Sequence, residues 1–143
     1  MHGASVYTLS ERASDEAAGR FAARENSADR LNGISLSGQS DAVSAILVDL
    51  SQRRTQEESA EFASLVTREG TGSLIFHPDP RRSAALAVLR APDVPSVLFE
   101  AGFVTNAEDA RRLSSPDGQA RFAEAMERAI RVFFARNSGV TAP

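Results

Sequence analysis

The sequence predicts an α/β fold in which a partly parallel sheet is flanked by helices. Three observations carry that expectation. Short apolar runs at residues 4–9 and 96–99 have strand composition: Val, Tyr, Leu and Phe bounded by Gly, Pro or Ser. Longer stretches between and after them repeat apolar residues three and four apart, the spacing of a helix face. The two kinds of segment alternate along 143 residues, a length that suits one domain with a real core.

Ala4-Ser5-Val6-Tyr7-Thr8-Leu9 reads as the first strand. Ser10 opens a polar turn, and residues 14–26 follow as a helix of three to four turns. Asp15 and Glu16 lie where a helix N-terminus favours acids, and Ala17, Ala18, Phe21 and Ala22 share one face. Residues 32–40, rich in Gly, Ser and Asn, form a linker, and Asp41 is the expected cap of the next element. Residues 42–69 contain no Gly or Pro. Val43, Ile46, Leu47 and Leu50 make a first apolar stripe, expected in the core or in a regulatory switch. Phe62, Leu65 and Val66 make a second. The polar stretch 51–59 shows no clear buried face, so the segment is either one long helix with an exposed middle or two helices with a bend.

Gly70-Thr71-Gly72 ends that segment. Leu74-Ile75-Phe76 is a short apolar piece, and residues 77–83, His-Pro-Asp-Pro-Arg-Arg-Ser, read as a loop fixed by two prolines. Leu86 to Leu89 suits a short strand, although the surrounding Ala-rich run suits a helix equally. A Pro-rich turn then leads into the strand at 96–99. Asn106 caps a helix, and Pro116 takes the first position of the last one. Phe122, Ala125, Met126, Ala129, Ile130 and Phe133 are expected to form its core stripe, and residues 137–143 a frayed tail.

Bulk properties exclude several classes. Hydrophobic residues make up 42% and charged residues 24%, with a net charge of −3, so no basic field points to nucleic acid or anionic lipid. Cys is absent, which removes disulfides and thiolate metal sites. All sixteen basic residues are Arg. No run approaches the ~18 apolar residues of a membrane span, and Met1 to Tyr7 lacks the basic and apolar regions of a secretory signal.

Glu100 is the candidate for chemistry. A charge at the end of an apolar strand is costly unless solvated, paired or bound to a metal, and sites in open α/β sheets lie at the carboxyl ends of strands. The plainer alternative is a carboxylate paired with an Arg or bonded to amides of the next helix. Arg81 and Arg82 are either a solvated pair or a clamp for substrate carboxylates. His77 reads as a loop histidine ahead of Pro78.

Gly3-Ala-Ser-Val-Tyr-Thr-Leu-Ser10, the helix containing Arg24-Glu25-Asn26, and the stretch from Pro95 through Glu100 to Asn106 carry a resemblance. They resemble the C-terminal part of the zinc-dependent N-acetylmuramoyl-L-alanine amidases, the periplasmic AmiA/AmiB/AmiC-like group, over roughly residues 3–135. The resemblance implies a peptidoglycan hydrolase that cleaves the amide between N-acetylmuramic acid and L-alanine of the stem peptide, in cell-wall remodelling and daughter-cell separation. It implies a Zn2+ held by two His and one Glu, with Glu100 beside it as general base or acid. Those metal ligands belong upstream of the first strand, so no residue here is assigned as a ligand, and His2 is set aside because the family's histidine lies further upstream.

The chain is therefore expected to be an incomplete, N-terminally truncated amidase domain at 1–136 with a tail at 137–143. Alone it is expected to bind no zinc, to be inactive, and to self-associate through an exposed sheet edge. Residues 33–60 correspond to a helical autoinhibitory insert, in which Asp49, Glu57 or Glu58 would cap the metal until a LytM-type activator displaces it. A non-catalytic remnant acting as a binding or inhibitory module is the alternative.

Overall fold

The computed structural model describes residues 1–31 and 42–138. Three strands, β1 (Ala4–Leu9), β2 (Phe76–Ala84) and β3 (Leu98–Glu100), pair in the order β2-β1-β3. The helices are α1 (Glu16–Leu31), α2 (Ala42–Gly70), α3 (Ala107–Ser114) and α4 (Pro116–Asn137), with a 3-10 turn at Ala87–Leu89. The Ala4 amide donates to Ile75 O and the Ser10 amide to Ala84 O, so β1 and β2 run parallel. The expected partly parallel sheet with flanking helices is what forms. The chain divides into two compact units: Met1–Val6 with Glu61–Arg81 and Phe99–Pro143, and Tyr7–Ala60 with Arg82–Leu98.

In the second of these units a small core gathers Tyr7, Ala18, Ala22, Ala84, Leu86 and Leu89, with Leu9, Phe21 and Leu98 packed against it. Phe21 stacks on Tyr7 with ring centroids 4.6 Å apart. Polar side chains tie the backbone around this core. Asn26 takes both neighbours of Leu86: its Nδ2 donates to Ala85 O and its Oδ1 accepts from the Ala87 amide, each at 2.8 Å. With those groups so occupied, residues 86–89 turn into the 3-10 segment instead of a strand. The polar middle of α2 has a similar task. Thr55 Oγ1 donates to Pro92 O at 2.9 Å, and Ser59 Oγ accepts from the Ser96 amide at 2.9 Å. Both side chains are buried on one face of a single helix, which resolves the choice between one helix and two.

In the first unit, Ala63, Leu65 and Val66 of α2 and Ala125 and Ala129 of α4 are buried. Phe62 meets Phe133 edge-on at 5.4 Å, and Phe99 meets Phe122 at 5.0 Å. The α4 stripe forms as expected except at Ile130, which is 40% exposed. It lies about 100° round the helix from Ala129, beyond the covered face.

Three sequence expectations need correction. Residues 77–83 are part of β2, not a loop. The strand is an outer one in the sheet of described residues, where Pro78 and Pro80 remove amides from an edge instead of from a ladder. The final strand is displaced to Leu98–Glu100, and Glu100 is its last residue. The first helix is longer than expected, reaching Leu31. Asp41 and the 32–40 linker lie outside the described residues, as do the side chains of Val43, Ile46 and Leu47 in the first apolar stripe; Leu50 is exposed.

Arg82 is buried, with a side chain only 4% exposed against 38% for Asp15. Its Nη2 and Nε donate to the two Asp15 carboxylate oxygens at 2.5 and 3.1 Å, and its Nη1 donates to the Tyr7 hydroxyl at 3.1 Å. Asp15 also accepts from the Ala18 amide at 2.9 Å, closing the first turn of α1. The Arg82 hydrogen bond, then the Ala18 amide, hold the Asp15 carboxyl below its usual range. Removing the carboxylate strands a buried guanidinium, so Asp15→Asn should cost about 2 kcal/mol at neutral pH, less than a fully buried pair because Asp15 is partly solvated. A carboxyl lowered in the folded state stabilises fully above its unfolded pKa of about 3.9 and loses that contribution as pH falls through the folded value. Urea midpoints should therefore separate wild type from Asp15→Asn at neutral pH and converge on acidification below about pH 4.

Candidate active site

Glu100 is half-buried at the carboxyl end of β3, and its Oε2 is sealed from solvent. The chain leaves the strand through Ala101, Gly102 and Phe103 before α3 begins. Asn106 starts that helix as expected: its Oδ1 accepts from the Glu108 and Asp109 amides at 3.1 Å each. The Asn106 amide in turn donates to Phe103 O at 3.0 Å.

The residue that holds this turn is Asp109, which the sequence reading passed over. Its side chain is 1% exposed. One oxygen, Oδ2, accepts from the Phe103 amide and from the Gly3 amide, each at 2.9 Å, and Oδ1 pairs with Arg112. The backbone just before β1 and the backbone just after Glu100 therefore converge on one carboxylate oxygen. Burial pushes the Asp109 carboxyl up, but the Phe103 and Gly3 amides and the Arg112 charge outweigh it, and the group lies below its usual range. The signal was present as an acid three residues after the Asn106 cap. That spacing resembles a capping box, in which the acid would serve the helix's own start; here it reaches outward instead.

Two glycines make the convergence possible. Gly3 has φ +84°, and a Cβ there would lie 2.7 Å from the backbone of Phe76 and His77. Gly102 has φ +153°, and a Cβ would lie 3.1 Å from the Asp109 carboxylate.

A cavity of about 50 Å³ fixes which way the strands face. Ala4 of β1 and Phe99 line it together with Ala101, Ile75 and Phe122. Glu100 lies between Phe99 and Ala101 in sequence, so strand alternation turns it to the other face of the sheet.

The other residues singled out from the sequence are dispersed. Arg81 is exposed, with Nη1 donating to Ser64 Oγ at 2.8 Å, whereas the Arg82 guanidinium is engaged by Asp15 and Tyr7, so it is no solvated surface group. His77 Nδ1 accepts from the Asp79 amide at 3.2 Å, and His2 is exposed. Glu57 is exposed, Glu58 pairs with Arg54 at 3.0 Å, and the Asp49 side chain lies outside the described residues, as does 33–41 of the expected insert. Among the described residues no three His, Asp or Glu converge to hold a metal ion, so the donors present do not fit a three-ligand zinc site.

Asp109→Ala should cost about 3 kcal/mol, since two amides and Arg112 lose their acceptor. Gly102→Ala should cost about 1–2 kcal/mol through its backbone conformation and the contact with Asp109. Urea unfolding measures both, and a cost near zero for Asp109→Ala would show that the turn stands without it.

The sequence is similar to those of known proteins. The family model for N-acetylmuramoyl-L-alanine amidase (Amidase_3) matches residues 1–132. The chain is 32% identical over 134 residues to N-acetylmuramoyl-L-alanine amidase AmiC of Escherichia coli O6:H1, covering 93% of this chain and 32% of that protein. It is also 32% identical to AmiA of Salmonella typhimurium, over 92% of this chain and 46% of that protein. AmiC of Neisseria meningitidis serogroup B is 33% identical over 79% of this chain and 27% of its own length. The chain thus spans a quarter to a half of the curated relatives it matches, and it belongs to the N-acetylmuramoyl-L-alanine amidase family.

Proposed function

We propose that this chain contributes the proton-transfer residue of a peptidoglycan amidase. The observation that supports the reading is Glu100, a half-buried carboxylate at a strand's carboxyl end, followed by a turn that Asp109 ties to the backbone ahead of β1. In the proposed reaction water adds to the carbonyl of the amide joining the lactyl group of N-acetylmuramic acid to L-alanine. Glu100 takes the proton from that water and returns it to the departing amine of L-alanine, so the C–N bond breaks as a neutral amine leaves. Holding the carboxylate in place before substrate arrives removes the reorganisation that a mobile acid would need.

The family resemblance adds Zn2+, whose part is to polarise a carbonyl and acidify water when bound. Its ligands would come from residues other than those described. The remaining readings follow the same resemblance: a periplasmic site of action, stem-peptide carboxylates near exposed Arg81, a cap on the site from residues 33–60 carrying Asp49, Glu57 and Glu58, and its removal by a LytM-type activator. No described helix is long and apolar enough to cross a membrane.

The test is a chimera in which this chain replaces its 134-residue counterpart in the Escherichia coli AmiC relative. The chimera should release dye from labelled peptidoglycan, and Glu100→Gln should slow it by about 10²–10⁴-fold with its fold intact. The purified chain by itself should show neither stoichiometric zinc nor dye release. Undiminished release by the Glu100→Gln chimera would overturn the assignment.

A further inference from the structure

Ser5 presents a buried hydroxyl with no role in the fold as described. The residue is 1% exposed, and among the described residues its Oγ has no hydrogen-bond partner. A buried hydroxyl left unmatched is costly, and a serine is easily replaced by alanine at a position that only fills space. An orphan of this kind in a well-packed strand marks a place where the hydroxyl serves something besides packing.

Its position says what that is. Ala4 lines the cavity beside Phe99 and Ala101, which places the start of β1 level with residues 99–101 of the neighbouring strand. Ser5 follows Ala4 as Glu100 follows Phe99, so alternation turns both to the opposite face. Adjacent side chains on one face of a strand pair have Cβ atoms about 5 Å apart, a span that one water molecule bridges between a hydroxyl and a carboxylate. A carboxylate offers about four acceptor positions, so such a water adds to whatever else Glu100 contacts.

We propose that Ser5 is a positioning residue for Glu100, its hydroxyl holding one buried water against the carboxylate and thereby fixing its orientation. The water satisfies the Ser5 hydroxyl, as buried waters commonly do for groups lacking a protein partner. The inference rests on reading Glu100 as the proton-transfer residue, but its first test does not need a working enzyme.

That test follows the ¹³C side-chain carboxyl resonance of Glu100 in the labelled full chain, assigned by its loss in Glu100→Gln. Replacing Ser5 by Ala should raise the Glu100 titration midpoint by about one pH unit, because the ionised form loses a donor. The melting temperature should change little, since no described residue loses a hydrogen bond to Ser5 Oγ. Ser5→Thr, which keeps the hydroxyl, should return the midpoint toward wild type. An unmoved midpoint in Ser5→Ala would overturn the proposal, as would a shift that Ser5→Thr fails to reverse while remaining folded. In the chimera Ser5→Ala should lower kcat about tenfold with little change in KM. If Glu100→Gln leaves the chimera active while Ser5 still moves the Glu100 resonance, the assignment of Glu100 fails and the Ser5 contact stands.

Discussion

The buried carboxylate of Asp109 is the interaction on which the candidate site depends. Three groups meet on it: the Phe103 amide and the Arg112 guanidinium from its own stretch of chain, and the Gly3 amide from 106 residues away. An ionised carboxylate suits this position because it only accepts, and every group facing it donates. An asparagine of the same shape would turn one donor toward donors. The net gain of one hydrogen bond is only about 1 kcal/mol, yet stranding several donors together is far more costly. The convergence on Asp109 therefore specifies the turn after Glu100 more strongly than any single bond would.

The same logic recurs elsewhere in the chain. Alanine supplies much of the buried apolar side chain: Ala18, Ala22 and Ala84 in one core, and Ala63, Ala125 and Ala129 in the other unit. Alanine allows close approach but removes little area from water, roughly a third of what leucine removes at ~25 cal/mol per Å². Side chains such as Asn26, Thr55, Ser59 and Arg82 compensate by bonding backbone or buried polar groups. Such directional bonds add specificity to packing that apolar contacts alone would leave less defined.

This division explains what was legible in the sequence. Apolar periodicity located β1 to the residue, and the cap chemistry of Asn106 and of Pro116 located the starts of α3 and α4. Glu100 stood out because a charge closing an apolar run violates the strand's own pattern. What escaped were residues whose role depends on distant partners. Thr55 and Ser59 look like a solvated stretch until residues 92–96 are laid beside them. Asp109 looks like a helix-terminal acid until Gly3 arrives from 106 positions away. Arg82 looks like half of a surface pair until Asp15 and Tyr7 enclose it. The strand at 76–84 was hidden by its prolines, because local propensity does not reveal whether a strand will be an edge.

Ser5 belongs to a third category, legible in neither the pattern nor the hydrogen bonds. By period alone it is an unremarkable small residue in a buried strand, and by bonding it is a defect. Local rules in natural proteins fail most often where function requires it, and here the failure lies at the register of Glu100, on the same face of the neighbouring strand. If Glu100 transfers the proton, as proposed, a hydroxyl that no described group engages is available to hold water against that carboxylate.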